Sequence, residues 1–179
     1  GAGFPTYAKL SDKADNIIMN CAECETLLKL HRQLLKEHVH GILKAFAMIQ
    51  ETVQAKEAII GIKEEYESTI EALEEYIGEF PNMRIHKLPG AYPMGDEVVL
   101  IYEATGKVVR PGGLPIECGV AVFNVETVYN VYRAVWEGKP VADKYVSVLG
   151  EVENPVTVRV PIGMRISEVV AMAGKITTP

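Results

Sequence analysis

The chain has 179 residues and a formal net charge of −6, with hydrophobic residues at 48% and charged residues at 23%. This is an ordinary globular composition, which argues against long disorder, and the scattered Lys and Arg residues argue against nucleic acid as a partner. No apolar run approaches the roughly 18–20 residues of a membrane-spanning helix, and the three cysteines, Cys21, Cys24 and Cys118, are too few and odd in number for a disulfide framework. A soluble, cytoplasmic protein is expected.

In chain order, Gly1-Ala2-Gly3-Phe4-Pro5-Thr6 reads as a loop already in progress, consistent with a segment of a longer chain. Ala14 to Met19, with Ile17-Ile18-Met19 at its heart, is a buried-strand candidate. Apolar residues from Leu27 through Leu34, Leu35, Val39, Ile42, Leu43, Phe46 and Ile49 then recur at three- and four-residue spacing, which predicts a long helix interrupted in pattern by Gly41. Ala58–Ile62 is a second strand, Lys63–Ile77 a second amphipathic helix and Met83–Leu88 a third strand. Strands alternating with helices imply βαβ units and a parallel sheet.

Beyond residue 88 the pattern loosens. A short helix is expected at about Glu97–Ala104, and Arg110-Pro111-Gly112-Gly113-Leu114-Pro115 reads as a shaped loop, since proline lacks the N–H donor and glycine resists ordering. The run Val120–Phe123 leads into a helix over Asn124–Trp136, with Asn124 as its N-cap. Residues 145–150 and 156–160 alternate with period two around the turn signal Glu153-Asn154-Pro155. Ile166–Ala173 is a last helix, capped by Gly163 or Ser167. A module boundary is expected at 138–144, giving modules at 1–140 and 144–179.

Taken singly, the chemistry-bearing motifs have ordinary readings. The opening glycines suit a phosphate, with Lys9 nearby, but equally a turn. Cys21-Ala22-Glu23-Cys24 has CxxC spacing without a second pair, so no complete four-cysteine metal site is available and no metal ligand is assigned. Asp96 and Glu97 open a helix where acids are favoured by the dipole alone. His31, His38, His40 and His86 show no ligand spacing and read as packing or surface residues.

Their order carries more. GAGFPT-x-x-K, N-x-A-E-C-E, Y-P-x-G-D-E, G-G-L-P, N-V-E-T and V-P-I-G follow one another in a pattern that resembles the C subunit of the Rnf electron-transport complex and the cobalamin reductase of propanediol utilisation. More distantly, it resembles the NADH-binding flavoprotein subunit of respiratory complex I. The resemblance spans the whole chain. It implies a Rossmann-like α/β fold with flanking helices, of the complex I flavoprotein type, followed by a partial β-grasp module of the SLBB (soluble ligand-binding β-grasp) kind.

Carried over residue by residue, the resemblance places Gly1, Gly3 and Lys9 in the glycine-rich loop around the phosphate of flavin mononucleotide (FMN). Asn20 and Glu23 would lie by the flavin, Glu25 toward the nicotinamide nucleotide, and Phe4 would offer an aromatic face to NADH. Tyr92, Gly95, Asp96 and Glu97 would line the flavin cleft, Glu97 also facing the NADH side. Asn124 and Thr127 would contact the FMN phosphate or ribityl chain at a helix start. No catalytic acid or base is implied, because FMN itself converts hydride to single electrons.

In the full-length parent, electrons would pass from NADH through FMN to iron–sulfur clusters held beyond residue 179. The partners would be other electron-transfer subunits or a corrinoid protein, with a membrane reached only through partner subunits. Three positions depart from the pattern: Thr26 replaces a usual proline, Leu114 an aromatic, and Ala22 an acid carried by the distant relatives. The alternative reading is a non-catalytic scaffold that keeps the fold and has lost nucleotide binding.

Overall fold

The computed structural model describes residues 5–25 and 27–178. Gly1, Gly3 and Phe4, assigned above to cofactor and nucleotide, lie outside the described residues.

Four strands form a fully parallel sheet: β1 (Asn16–Asn20), β2 (Glu57–Lys63), β3 (Met83–Leu88) and β4 (Val120–Asn124), in the order β3-β2-β1-β4. The β1 run is buried on both faces because the sheet is covered on both sides. Ile17 and Met19 point into a core shared with α2 (Leu30–Thr52), α3 (Glu67–Ile77) and α5 (Val125–Glu137). Ile18 points the other way, onto Leu100 and Ile101 of α4 (Glu97–Thr105). The alternation of side chains along a strand thus builds a three-layer sandwich from one short apolar run.

Several boundaries differ from the sequence expectation. The second helix starts at Glu67 rather than Lys63, because Lys63 still pairs with Leu88 in the β2–β3 ladder. Leu27, expected to open the long helix, has a left-handed backbone (φ 69°) and is exposed, so α2 begins three residues later. The opening loop contains a helix that apolar periodicity does not reveal, α1 (Thr6–Ser11), and Pro115–Cys118 forms a 3-10 turn where the Gly/Pro loop ends. Inside α2 the helical geometry breaks at His38 (φ −133°), not at Gly41. Gly41 serves packing instead: a Cβ there would lie 2.9 Å from Tyr132 Cζ of α5.

Gly61 has a similar role in β2, where a Cβ would come within 2.6 Å of Leu100 Cδ1 on α4. Gly61→Val is therefore expected to destabilise the chain by about 1–3 kcal/mol through overpacking. A chemical denaturation midpoint equal to the native one would contradict that packing.

The remaining strands, β5 (Asp143–Val148) and β6 (Val156–Pro161), form an antiparallel pair followed by α6 (Ile166–Ala171). The N-cap of α6 is Arg165, not Gly163 or Ser167; the Glu168 carboxylate accepts the Arg165 N–H at 3.2 Å. Gly163 instead supplies a positive φ of 92° in the preceding turn. Arg133 of α5 ties this pair to the first sheet. It donates to both oxygens of Asp143, at 2.8 and 3.1 Å, and Arg159 of β6 also binds Asp143. Next to that contact Lys144 is paired with the buried Glu126 of α5.

Candidate functional site

The chain leaves β1 toward β2 on one side and returns from β3 to β4 on the other. Between β1 and β4, the order reverses. In open parallel α/β sheets, ligands bind at the carboxyl ends of the strands flanking such a reversal, because the two outgoing loops part there. Asn20 ends β1, Asn124 ends β4, and the two are register partners. A cleft of about 740 Å³ opens above them, lined also by Ala22, Glu23, Cys24, Glu25, His31, Gly95 and Thr127. A smaller hollow of about 160 Å³ adjoins it at Asn20, Asn124 and Thr127, and a second of about 210 Å³ continues from that one past Lys9, Glu97 and Val122.

The floor is set by backbone contacts. The Asn20 carboxamide donates to Gly95 O at 2.8 Å and accepts the Ala22 N–H at 3.1 Å. The Gly95 N–H donates to Cys24 Sγ at 2.9 Å. A Cβ on Gly95 would meet Ala22 O at 2.2 Å and Cys24 Sγ at 2.6 Å, so only glycine lets these two loops close on each other. Cys21 points away into the core, where burial pushes its thiol up, so the CxxC pair is split between core and cleft. Among the described residues no group of three or more His, Cys, Asp or Glu side chains could hold a metal ion.

Two helix starts face the cleft. At α5 the Asn124 Oδ1 accepts the Glu126 N–H at 2.9 Å, leaving the first amides oriented toward the opening. At α2 the Lys29 side chain supplies no cap; the Glu23 carboxylate does, accepting the His31 N–H at 2.9 Å and the Arg32 Nε–H at 2.8 Å. Arg32 in turn lies over the Tyr66 ring at 4.1 Å. Glu23, only 8% exposed, thus has both carboxylate oxygens engaged in fixing the β1–α2 loop.

The other residues assigned from the sequence are distributed as follows. Lys9 of α1 reaches Val122 O at 2.6 Å and Glu97 at 3.4 Å, across the end of β4. Asp96 is the N-cap of α4, accepting from the Val98 and Val99 N–H groups at 3.0 and 3.2 Å. Glu25 and Thr127 line the main cleft, whereas Tyr92 is 82% exposed and outside its lining. The structure adds residues that sequence reasoning passed over. His31, read as packing or surface, lines the cleft, and its ring accepts from the Asn124 carboxamide at 3.1 Å. Glu126, Lys144 and Tyr145 form part of the wall. For His31, the available signal was its position one residue into a helix that follows a strand end.

The donor set fits a nucleotide-like ligand carrying phosphate: a lysine and a helix start for the anion, two carboxamides for hydroxyl groups and ring edges, and the apolar end of β4 as a wall. Fold and site together define a doubly wound α/β nucleotide-binding module. The chain belongs to the Nuo51 FMN-binding domain family, whose model matches residues 1–133, and the SLBB domain model matches residues 145–178. It is 41% identical over 177 residues to the cobalamin reductase PduS of Citrobacter freundii, an alignment covering 99% of this chain and 39% of that protein.

It is 31% identical over 179 residues to the C subunit of the Na(+)-translocating ferredoxin:NAD(+) oxidoreductase complex of Acetobacterium woodii, covering 97% of this chain and 40% of the relative. Among solved structures it is similar to a chain of an NAD+-reducing [NiFe]-hydrogenase in the air-oxidized state. That match has a TM-score of 0.81 at 27% identity and covers 97% of this chain and 36% of the hydrogenase chain. The chain therefore spans about two-fifths of the length of these two curated relatives.

Proposed function

We propose that this chain is the FMN- and NADH-binding part of a longer oxidoreductase that moves electrons from NADH through FMN to iron–sulfur centres. Residues 1–140 form the cofactor module and 144–179 part of an SLBB module. The observation that carries this reading is the pairing of Asn20 with Asn124 at the sheet's switch point, beneath a cleft of about 740 Å³. Bound FMN would supply the conversion between hydride and single-electron transfer.

The chain's own residues bind and orient. Lys9 and the start of α5 attract the phosphate, the resemblance assigns Gly1 and Gly3 to the same anion, and Asn124 and Thr127 hold the phosphate end of the ribityl chain. Asn20, Gly95, Asp96 and Glu97 shape the flavin wall, with Tyr92 at its outer rim. Glu23 acts by fixing the loop, since both of its oxygens are already taken. Glu25 and Glu97 face the nicotinamide nucleotide, to which the resemblance also assigns Phe4. No side chain is asked to transfer a proton.

The parent works beside other electron-transfer subunits or a corrinoid protein. In the described residues no helix is long and apolar enough to cross a membrane, and we assign any membrane attachment to partner subunits and the chain itself to the cytoplasmic side.

The test is anaerobic titration of the full-length, FMN- and cluster-reconstituted protein with NADH. Bleaching of the flavin band is expected. Retained flavin that does not bleach would refute NADH oxidation, and failure to retain flavin would favour a scaffold without nucleotide binding, a reading that Leu114 in place of an aromatic supports. Asn124→Ala is expected to weaken FMN retention about fivefold, the worth of one hydrogen bond, and to cost about 1 kcal/mol of stability through the lost cap. Flavin fluorescence and thermal unfolding measure the two effects separately.

A further inference from the structure

His31 and Asn124 are 93 residues apart in sequence and meet across the cleft. Because Asn124 Oδ1 is committed to the Glu126 N–H, it is the amide Nδ2 that turns to His31. A donor at that distance requires His31 Nε2 to accept, so the ring is neutral with its proton on Nδ1.

The surroundings favour that state. The β1–α2 loop presents Glu23, which is paired with Arg32 of His31's own helix; α5 presents Glu126, which is paired with Lys144 of β5; Glu25 stands at the rim. With the two nearer carboxylates occupied, burial dominates and holds the imidazole below its ordinary value, helped by Lys144 and opposed by Glu23 and Glu126. Protonation would set two donors face to face, and Asn124 would have to rotate away, giving up the α5 cap or the His31 contact. The folded state therefore disfavours the proton: the stability from this contact is present above the ordinary histidine pKa and is lost as pH falls through the lowered one.

We propose that neutral His31 is a positioning residue that fixes the Asn124 carboxamide toward the bound ligand, making cofactor affinity fall in acid. This rests on the FMN reading above for the identity of the ligand.

The test uses the full-length protein and FMN, with affinity read by flavin fluorescence between pH 8 and pH 5. Native affinity is expected to fall with acid about fivefold more than that of a variant whose residue 31 does not titrate. His31→Leu should be about fivefold weaker at pH 8 and should lose the His31 part of the acid fall, keeping only the part due to FMN's own phosphate, whose second pKa is about 6. His31→Gln, whose carbonyl can accept from Asn124 without titrating, should recover most of that loss and fall in acid no more steeply than His31→Leu does. A His31→Gln profile that falls like the native one, or a His31→Leu affinity equal to the native one, would overturn the proposal.

A second readout needs no flavin. In histidine-labelled protein, Asn124→Ala should raise the His31 ring pKa measured by NMR, because the donor to the neutral form is gone. An unchanged value would overturn the positioning role even if FMN binds. A raised value in a protein that binds no FMN at any pH would leave the positioning role standing and refute the flavin reading.

Discussion

Gly95→Ala is expected to lower FMN affinity by about 100-fold or more, the scale of a 1 Å misplacement in a preorganised site. The methyl group would enter a space where Ala22 O sits at 2.2 Å and Cys24 Sγ at 2.6 Å. A backbone oxygen cannot swing aside as a side-chain tip can, so the β1–α2 loop and the turn before α4 must separate. That movement breaks the Asn20 to Gly95 and Gly95 to Cys24 hydrogen bonds that form the cleft floor. Flavin fluorescence titration of the full-length variant measures the effect. The control is Gly78→Ala: Gly78 has right-handed helical geometry (φ −61°) and open space where a Cβ would go. It should leave FMN affinity at the native value and add up to about 1 kcal/mol of stability. Equal affinities in the two variants would show that the glycine contact does not shape the site.

Asp143→Ala is expected to cost about 3 kcal/mol of stability. It leaves Arg133, only 4% exposed, as an unpaired buried charge, and breaking a buried pair costs far more than the pair itself contributes. Asp143→Asn keeps acceptor capacity and should lose less. A double replacement, Arg133→Met with Asp143→Leu, removes both charges and should recover much of the loss, which a thermodynamic cycle over thermal unfolding would quantify. Arg133 and Arg159 hold the Asp143 carboxyl well below the usual carboxylate range. The stability from this group is therefore fully present above the ordinary carboxylate pKa and is lost as pH falls through the depressed folded value. In Asp143→Ala the acid end of the stability profile should be flatter; a profile as steep as the native one would count against the assignment. Since α5 also begins at the cleft, loosening this contact is expected to reach the β5 wall formed by Lys144 and Tyr145.

Much of the architecture is legible in the residues. Ile17-Ile18-Met19 can be read as a buried strand because both faces of a covered parallel sheet demand apolar side chains, and the regular spacing along α2 and α5 marks one face of each helix. The boundaries were less legible. Lys63 and Leu27 look helical by pattern, yet ladder pairing holds the first in β2 and a left-handed turn removes the second from α2. The α1 helix has no apolar periodicity to betray it, with no buried residue among its six.

The site divides along the same line. Asn124 as a helix cap and the acidic start of α4 follow from local chemistry, and the order of six motifs points to the family without any geometry. Glu23 reads locally as a polar residue after a strand, but its carboxylate is spent on the start of α2, which depends on where that helix lies. His31 offered only its position one residue into a helix that follows a strand end, and its partner Asn124 lies 93 residues away.

By itself the sequence determined the alternation of strands and helices, the apolar faces and the family, because these depend on neighbours within a few residues and on motif order. Only the tertiary structure decided which strand ends meet. The order β3-β2-β1-β4 brings Asn20 beside Asn124, and the packing of α2 on α5 brings His31 to the same place. Contacts between residues so distant in the chain carry no periodic trace, since they exist only once the crossovers have closed and the layers have packed.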